Sequence, residues 1–491
     1  MHNRKIVHFQ GQIETALKKF CEELDLRMKD LFVKLRIKSH LTAAGIRKCE
    51  GYSPLHLLFV LANVVFLHIA TVHDLLSRPL ETFYQAQKDT FYRFKKAEWS
   101  WGAFYRRVIL FLGRRLRWDR SAADNCLILD TTIRPKRGRC LENLTWVYDH
   151  VRGKSVIGYE LLVLAIVTPG NLFPLDFGFH FSKHPLAEAR QSRPRRPRGY
   201  LARHLKAARR TKIELSLQSL TQALAQGIKA TWLLVDAWFT SPKFCAAVRE
   251  LGLHVIGRLK ADGTRYTHKG QDYNLRQLYR ACRHWLTPVP EMGLAVLRVP
   301  VSCSNGLSGA IVLTQGYQEP DLDTKPGGKI KAPSPWTGFF TTDLSLSAPE
   351  VVKKYQGRWS IEVFFKEAKQ RLGLGQEQGH SFAAQVFSVV QTFFRYSLLA
   401  YLLEHDEPSQ TIGDLFRQLE EETGKITFLE RLRQHLSALL GKIFDTLSQF
   451  YDPSPTFRAY LDVIINAFNE FPILQGCERW VIRGLEFAPT R

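Results

Sequence analysis

Short, strongly apolar segments set the fold class of this 491-residue chain. Three lie close together in the first half, and two of these are joined by the turn signal PGN at 169–171. Two more follow, with helix-like stretches before and between them. The five segments are NCLILDTT (125–132), YELLVLAIVT (159–168), LFPLDFGFHF (172–181), TWLLVDAWF (231–239) and LHVIGRLK (253–260). Strands followed by alternating strands and helices predict an α/β protein with a mixed sheet flanked by helices.

The remaining regions show other patterns. Apolar residues recur at three- and four-residue spacing near both ends of the chain, which predicts helices there. Between the fifth segment and GFFTTD (338–343), strand-like runs and a Pro/Gly/Lys-rich loop predict a β-rich insertion. GFFTTD is expected to lead into one long helix that begins near Ser347. The predicted regions are a helical region at 1–120, a sheet core at 121–260, the insertion at 261–336, the rest of the core at 337–400 and a helical region at 401–491.

The charge of the chain is strongly positive. Lys and Arg number 69 against 46 Asp and Glu, a formal net charge of +23. Such an excess fits a polyanionic partner, because cations that neutralise phosphates release condensed counterions. A ribosome-like accessory protein or a merely solvated basic surface are the alternatives. In segment 89–118 basic and aromatic residues interleave, which suits DNA binding by the N-terminal region, although an amphipathic helix pair with aromatics in the core gives the same pattern.

Two apolar stretches, at 55–76 and 382–403, are long enough to raise the question of membrane spans. Both carry polar or ionisable residues, among them His56 and Arg395, so we predict buried helices and no membrane partner. The eight cysteines are scattered without zinc-type spacing, and the N-terminus lacks a signal-peptide pattern. We therefore expect a reducing, cytoplasmic compartment.

Two aspartates end apolar strands of the predicted sheet. Asp130 follows the run CLIL, and Asp236 follows WLLV. An acid at this point can project from a rigid sheet into a cleft, or can cap the turn that follows. Two such acids in neighbouring strands repel each other, and bound divalent cations are a usual compensation. The pair therefore indicates a metal site, with turn capping as the alternative.

A third acid belongs to a patterned helix. Tyr355, Arg358, Glu362 and Lys369 are separated by three, four and seven positions, so at about 100° per residue they share one narrow stripe, which Lys366 joins. The neighbouring row is apolar and predicted to face the core: Ile361, Phe365, Ala368 and Leu372. A surface ladder of salt bridges is one interpretation. A phosphate bound beside a metal-ligating glutamate also explains the arginine and the phenol.

These spacings match the signature Tyr-(2)-Arg-(3)-Glu-(6)-Lys, called YREK, of the insertion-sequence-four family of bacterial DDE transposases. The chain resembles that family over roughly 126–374, and Asp130 and Asp236 stand where its first two catalytic aspartates are expected. The resemblance implies an RNase H-like catalytic core, shared with retroviral integrases, that a β-rich insertion interrupts before the glutamate helix.

The resemblance also implies a reaction and a set of partners. Asp130, Asp236 and Glu362 would hold two Mg²⁺ ions, for which Mn²⁺ can substitute, for in-line displacement at a phosphodiester. Tyr355, Arg358 and Lys369 resemble family residues that grip phosphates near the transposon end. The expected activity is cut-and-paste transposition of double-stranded DNA, from terminal inverted repeats into target DNA, by a homodimer in the bacterial nucleoid.

Two further DNA contacts are hypotheses. Related transposases flip a base onto a tryptophan of the insertion region, and Trp336 is the candidate here; an ordinary core tryptophan is the other interpretation. The segment 189–212 is dense in arginine, including Arg195, Arg196 and Arg198, and matches no family motif. We expect it to contact the DNA backbone without reading sequence.

Two other functions remain open at this point. A metal-dependent nuclease of the same fold would hydrolyse DNA without strand transfer. A catalytically silent DNA-binding regulator derived from a transposase would keep the basic surface without the activity. Intact acids at all three positions argue against the silent regulator.

Overall fold

The structure is a computed structural model. It describes residues 27–48, 50–69, 71–77, 86–138, 140–149, 152–182, 198–317, 335–405 and 411–450, with 455, 458–459 and 462–463. The chain divides into two compact units, one formed by Met1–Phe111 with Lys369–Arg491 and the other by Leu112–Ala368. The domain boundaries expected from the sequence stay predictions.

Helices and strands are labelled in chain order. The α-helices are α1 (Arg27–Lys34), α2 (Ile37–Ala43), α3 (Pro54–Asn63), α4 (Val72–Ser77), α5 (Lys88–Lys96), α6 (Trp101–Arg115), α7 (Gly199–Ala208), α8 (Lys212–Ala225), α9 (Pro242–Glu250), α10 (Leu275–Cys282), α11 (Ala348–Gln356), α12 (Trp359–Gln370), α13 (Phe382–His405) and α14 (Ile412–Phe450). The strands are β1 (Cys126–Pro135), β2 (Thr145–Asp149), β3 (Lys154–Val167), β4 (Leu172–His180), β5 (Trp232–Val235), β6 (His254–Arg258), β7 (Arg265–His268), β8 (Gln271–Asn274), β9 (Thr287–Val289), β10 (Leu294–Cys303), β11 (Ser308–Gly316) and β12 (Trp336–Thr341).

The core of the second unit is a mixed sheet. Strands β4, β3 and β1 are antiparallel neighbours, and β5 and β6 then run parallel to β1. Strand β5 is buried along its whole length, as are the first four residues of β1. Parallel strands covered on both faces read as continuous apolar runs, which is the pattern that predicted them. The expected RNase H-like mixed-sheet core is confirmed.

Beyond β6 the sheet continues into the β-rich insertion. Strand β12 pairs antiparallel with β6, and β11, β10, β7 and β8 follow in that order, with β9 also paired to β10. Strands β7 to β11 and helix α10 lie between β6 and β12 in the chain. The predicted insertion thus extends the core sheet, and β12 brings the chain back beside β6 before α11 begins.

The helix predicted to begin near Ser347 does begin there, but it is not continuous. Ser347 caps α11 in a capping box with Glu350. The backbone N–H groups of Gly357 and Arg358 then bond three residues back, to Lys354 and Tyr355, instead of four. This tighter turn separates α11 from α12. The single long helix was therefore wrong, and Tyr355 lies on a different helix from Glu362.

In the first unit, α13 is the central buried helix. It is long and apolar enough to cross a membrane, yet 94% of its most apolar window is buried inside the protein, as the sequence predicted. Arg395 lies fully in this interior and donates to the backbone carbonyls of Leu61, Ala62 and Leu372. Burial lowers the pKa of Arg395 to about 9. Its polar groups are satisfied by carbonyls, which explains a cation inside an apolar helix.

The aromatic and basic segment at 89–118 contributes to the same core. Phe91, Phe94, Trp101 and Phe104 are all buried, and the Trp101 ring lies 4.6 Å from that of Phe387 on α13. These aromatics are therefore core residues, so the amphipathic interpretation holds for them. They are not free to stack on nucleic acid.

Candidate catalytic site

Asp130 lies in β1 where burial begins to decrease along the strand. Its Oδ1 accepts a hydrogen bond of 2.7 Å from the backbone N–H of Thr131. Burial raises the pKa of Asp130 to about 6, with a smaller contribution from the charge of Asp236, while the Arg358 guanidinium opposes the rise. The carboxyl is thus partly desolvated and feels a second acid, as expected for a cluster that a cation would stabilise.

Asp236 comes directly after β5. Because Leu129 and Val235 are register partners in the parallel pair β1–β5, Asp130 and Asp236 follow them at the same level of the sheet. Asp236 Oδ1 accepts from the backbone N–H groups of Trp238 at 2.9 Å and Phe239 at 3.3 Å. The carboxylate therefore caps the turn that follows and also lies beside Asp130, so both roles considered from the sequence are compatible.

Arg358 connects the first aspartate with the glutamate. Its Nη1 lies 2.7 Å from Asp130 Oδ2, and its Nη2 lies 2.7 Å from Glu362 Oε1. The side chains of Arg358 and Asp130 are only 16% and 14% exposed, whereas that of Glu362 is 39% exposed. Two acids from distant parts of the chain, Asp130 and Glu362, thus meet around one guanidinium, and Asp236 lies beside Asp130.

Tyr355 adds a hydroxyl to the same cluster. It is hydrogen-bonded to the side chain of Arg358, and its ring lies 4.7 Å from that of Phe339 on β12. Burial raises the pKa of Tyr355, so the phenol is neutral at physiological pH. Lys366 and Lys369 are exposed on α12, C-terminal to Glu362. The apolar row predicted beside them is buried: Ile361, Phe365, Ala368 and Leu372.

The other residues predicted to contact DNA lie outside the segment 355–369. The Trp336 ring is stacked parallel on Tyr279 at 4.2 Å, and the Tyr279 hydroxyl donates to Gln315. Trp336 therefore has a stacking partner within the insertion, and its role in base flipping stays a prediction. Arg198 is exposed just before α7, while Arg195 and Arg196 lie outside the described residues.

The carboxylates of Asp130, Asp236 and Glu362 are the candidate metal ligands. Among the described residues, no three His, Cys, Asp or Glu side chains are arranged as a ready-made cation site. Asp130, Asp236 and Glu362 nevertheless offer only carboxylate oxygens, the ligands that Mg²⁺ and Mn²⁺ prefer. In the present arrangement Arg358 supplies the positive charge between Asp130 and Glu362. The residues therefore fit a divalent cation in chemical type, provided that Arg358 gives up these contacts.

One polar group near Asp236 was missed from the sequence. Glu160 in β3 is buried and pairs with His180 of β4 and with Lys212, the first residue of α8. The Lys212 Nζ lies 4.9 Å from the centre of the Trp238 ring. The sequence did contain a signal for this group, because Glu160 is an acid inside the apolar run YELLVLAIV. A buried carboxylate there needs polar or charged partners.

Comparisons with known proteins bear on the class of enzyme. Residues 59–277 match the family model described as DDE superfamily endonuclease, and residues 200–398 match that of the transposase DDE domain. Asp130 lies in the first range, Glu362 in the second and Asp236 in both. No curated protein sequence matches the chain.

A solved structure, the Drosophila P element transposase strand transfer complex, is also similar. It is 10% identical, the match covers 88% of this chain and 96% of that one, and the TM-score is 0.20. At that score the likeness does not bear on the fold.

The two matched models, together with the sheet and the acidic cluster, define the class. The chain carries DDE-superfamily transposase domains. Its function is that of a DNA transposase, an enzyme that cleaves DNA and transfers the cut strand. Enzymes of this class generally depend on divalent metal ions.

Proposed function

We propose that this chain is a cut-and-paste transposase of the insertion-sequence-four type, with Asp130, Asp236 and Glu362 as its catalytic metal ligands. The observation that carries the proposal is the contact of one guanidinium, that of Arg358, with both Asp130 and Glu362. A surface ladder of salt bridges would not require partners from a distant strand, nor a desolvated aspartate.

The proposed cofactor is a pair of Mg²⁺ ions, for which Mn²⁺ can substitute. When bound, the ions would activate the attacking water or 3′-hydroxyl and stabilise the leaving oxygen. Asp130 and Asp236 are suited to hold such ions because each carboxylate accepts a backbone N–H bond, Asp130 within β1 after its four buried residues and Asp236 directly after β5. Glu362 is half-exposed and can move towards them as Arg358 leaves.

The residues of the YREK signature form the proposed phosphate grip. Arg358 offers a planar fork that matches two phosphate oxygens, and the Tyr355 hydroxyl orients that fork through its hydrogen bond. Lys366 and Lys369 supply exposed positive charges further along α12. A DNA phosphate would replace the carboxylates as the partner of Arg358, which leaves the acids available to the cations.

The proposed partners are the terminal inverted repeats of the element and a target DNA duplex. Joining two ends requires two active sites, so the working form is proposed to be a homodimer in the bacterial cytoplasm, associated with the nucleoid. The net charge of +23 favours such a polyanionic partner. Arg195, Arg196 and Arg198 are proposed backbone contacts, and Trp336 a proposed stacking residue.

The test is an assay with purified protein, Mg²⁺ and a mini-transposon made from the DNA that flanks the gene. Excision followed by insertion supports the proposal. Nicking without insertion would identify a nuclease, and binding without cleavage a silent regulator; either result overturns it. Glu362→Gln should abolish cleavage while sparing DNA binding, and Glu250→Gln, an exposed glutamate at the end of α9, is the matched control that should keep full activity.

A further inference from the structure

Trp238 is an exposed aromatic residue beside the proposed metal ligands. It follows Asp236 by two positions, and its backbone N–H donates to Asp236 Oδ1 at 2.9 Å. Its side chain is nevertheless 44% exposed. Single exposed aromatic residues are common on protein surfaces. Trp238 differs in that the hydrogen bond to Asp236 fixes it beside a proposed catalytic acid.

Trp238 does not anchor its own loop to the core. That role belongs to the next residue, because Phe239 is 1% exposed and its ring lies 5.7 Å from that of Phe244 on α9. The Trp238 ring meets the edge of Phe239 at 4.8 Å, in a T-shaped arrangement. The loop is thus held by Phe239 and by the turn at Asp236, which leaves the Trp238 ring available for another partner.

A buried ionic group steadies this ring from one side. The Lys212 ammonium lies 4.9 Å from the centre of the Trp238 ring, within the range of a cation–π interaction. Lys212 is held in turn by Glu160, whose other oxygen lies 2.9 Å from His180 Nδ1. Because Glu160 is buried between β1 and β4, the cation that supports the ring is anchored in the sheet.

We propose that Trp238 is a stacking platform for an unpaired nucleobase next to the phosphodiester that Asp236 helps to cleave, and that Lys212 positions its ring. The inference rests on the proposed function, since it requires a DNA end at this site. An aromatic face compensates an unpaired base for lost stacking and accepts any of the four bases. Trp238 would therefore favour DNA opened at the cleavage point without selecting its sequence.

The test uses the full chain with a chelator, so that DNA binds without being cut. The probe is a forked duplex with 2-aminopurine in its unpaired arm, and the reference is a fully paired duplex of the same sequence. Wild type should bind the fork more tightly and quench the 2-aminopurine fluorescence. Trp238→Leu should lose the quenching and bind the fork about five- to a hundred-fold more weakly, with unchanged affinity for the paired duplex.

Two further variants separate stacking from folding. Trp238→Phe keeps an aromatic face and should retain most of the quenching, and Lys212→Gln should weaken it because the ring loses its support. Quenching by Trp238→Leu equal to wild type would overturn the inference while leaving the transposase proposal intact. Wild type that binds neither duplex, and cleaves no mini-transposon, would overturn the proposed function and this inference together.

Discussion

Asp130→Asn is expected to stabilise the protein while abolishing cleavage. The carboxyl of Asp130 is only 14% exposed, and burial together with Asp236 raises its pKa from 3.8 to about 6, despite the guanidinium of Arg358. Ionising this group in the folded protein is therefore unfavourable. Asparagine has nearly the same shape and carries no charge, so it avoids that cost.

The magnitude follows from the difference in pKa between the folded and unfolded states. Between about pH 4 and pH 6 the folded chain binds more protons at Asp130 than the unfolded chain does, so the free energy of unfolding falls as pH rises through this window. A difference of about two pKa units corresponds to roughly 3 kcal/mol. At pH 7 Asp130→Asn should thus be about 1 to 3 kcal/mol more stable than wild type, and at pH 4 the two should be nearly equal.

The assay is urea denaturation of both proteins at pH 4 and pH 7 with a chelator present, followed by intrinsic fluorescence. Asp343→Asn is the matched control, because this buried aspartate accepts from Trp232 Nε1 and from the backbone and hydroxyl of Ser345. Burial alone would raise the pKa of Asp343, but these bonds outweigh it and lower the pKa. Asp343→Asn should therefore destabilise the fold at pH 7. An Asp130→Asn variant no more stable than wild type at pH 7 would refute the reasoning.

Three further changes have expected outcomes. Tyr355→Phe removes the hydrogen bond to Arg358 but keeps the ring against Phe339, so cleavage of a mini-transposon should slow about tenfold while the urea midpoint stays unchanged. Ser347→Ala removes the cap of α11 and should lower the free energy of unfolding by about 1 kcal/mol, measured by urea denaturation. Replacing the four arginines at 190–196 by glutamine should reduce the slope of log affinity against log salt by up to about 3.6 in DNA-binding titrations, and an unchanged slope would contradict the predicted backbone contacts.

The sheet could be predicted because its signals are local. Runs such as CLIL and WLLV are apolar at every position, as strands covered on both faces must be. An aspartate follows each run directly. The order of these segments was enough to predict a mixed sheet. Likewise, the apolar row of α12 was visible in its helical periodicity, since burial on one face leaves that pattern in any sequence.

Other features depend on contacts that local patterns do not contain. The break between α11 and α12 comes from the hydrogen bonds of Gly357 and Arg358 to carbonyls three residues back. A helical wheel assumes one continuous helix and therefore cannot show this break. The bridge from Arg358 to Asp130 joins segments far apart in the chain. The stacking of Trp336 on Tyr279 likewise depends on how the insertion folds, which its sequence alone did not indicate.

The charges at the candidate site predict that metal binding and DNA binding are linked. With all groups ionised, the carboxylates of Asp130, Asp236 and Glu362 and the guanidinium of Arg358 carry two net negative charges, which one divalent cation would balance. A second cation would leave an excess of two positive charges in a partly desolvated site, and that is costly without anions nearby. The DNA backbone brings one negative charge with each phosphate. The second cation should therefore bind strongly only when DNA is present, and each ligand should strengthen the binding of the other by the same factor.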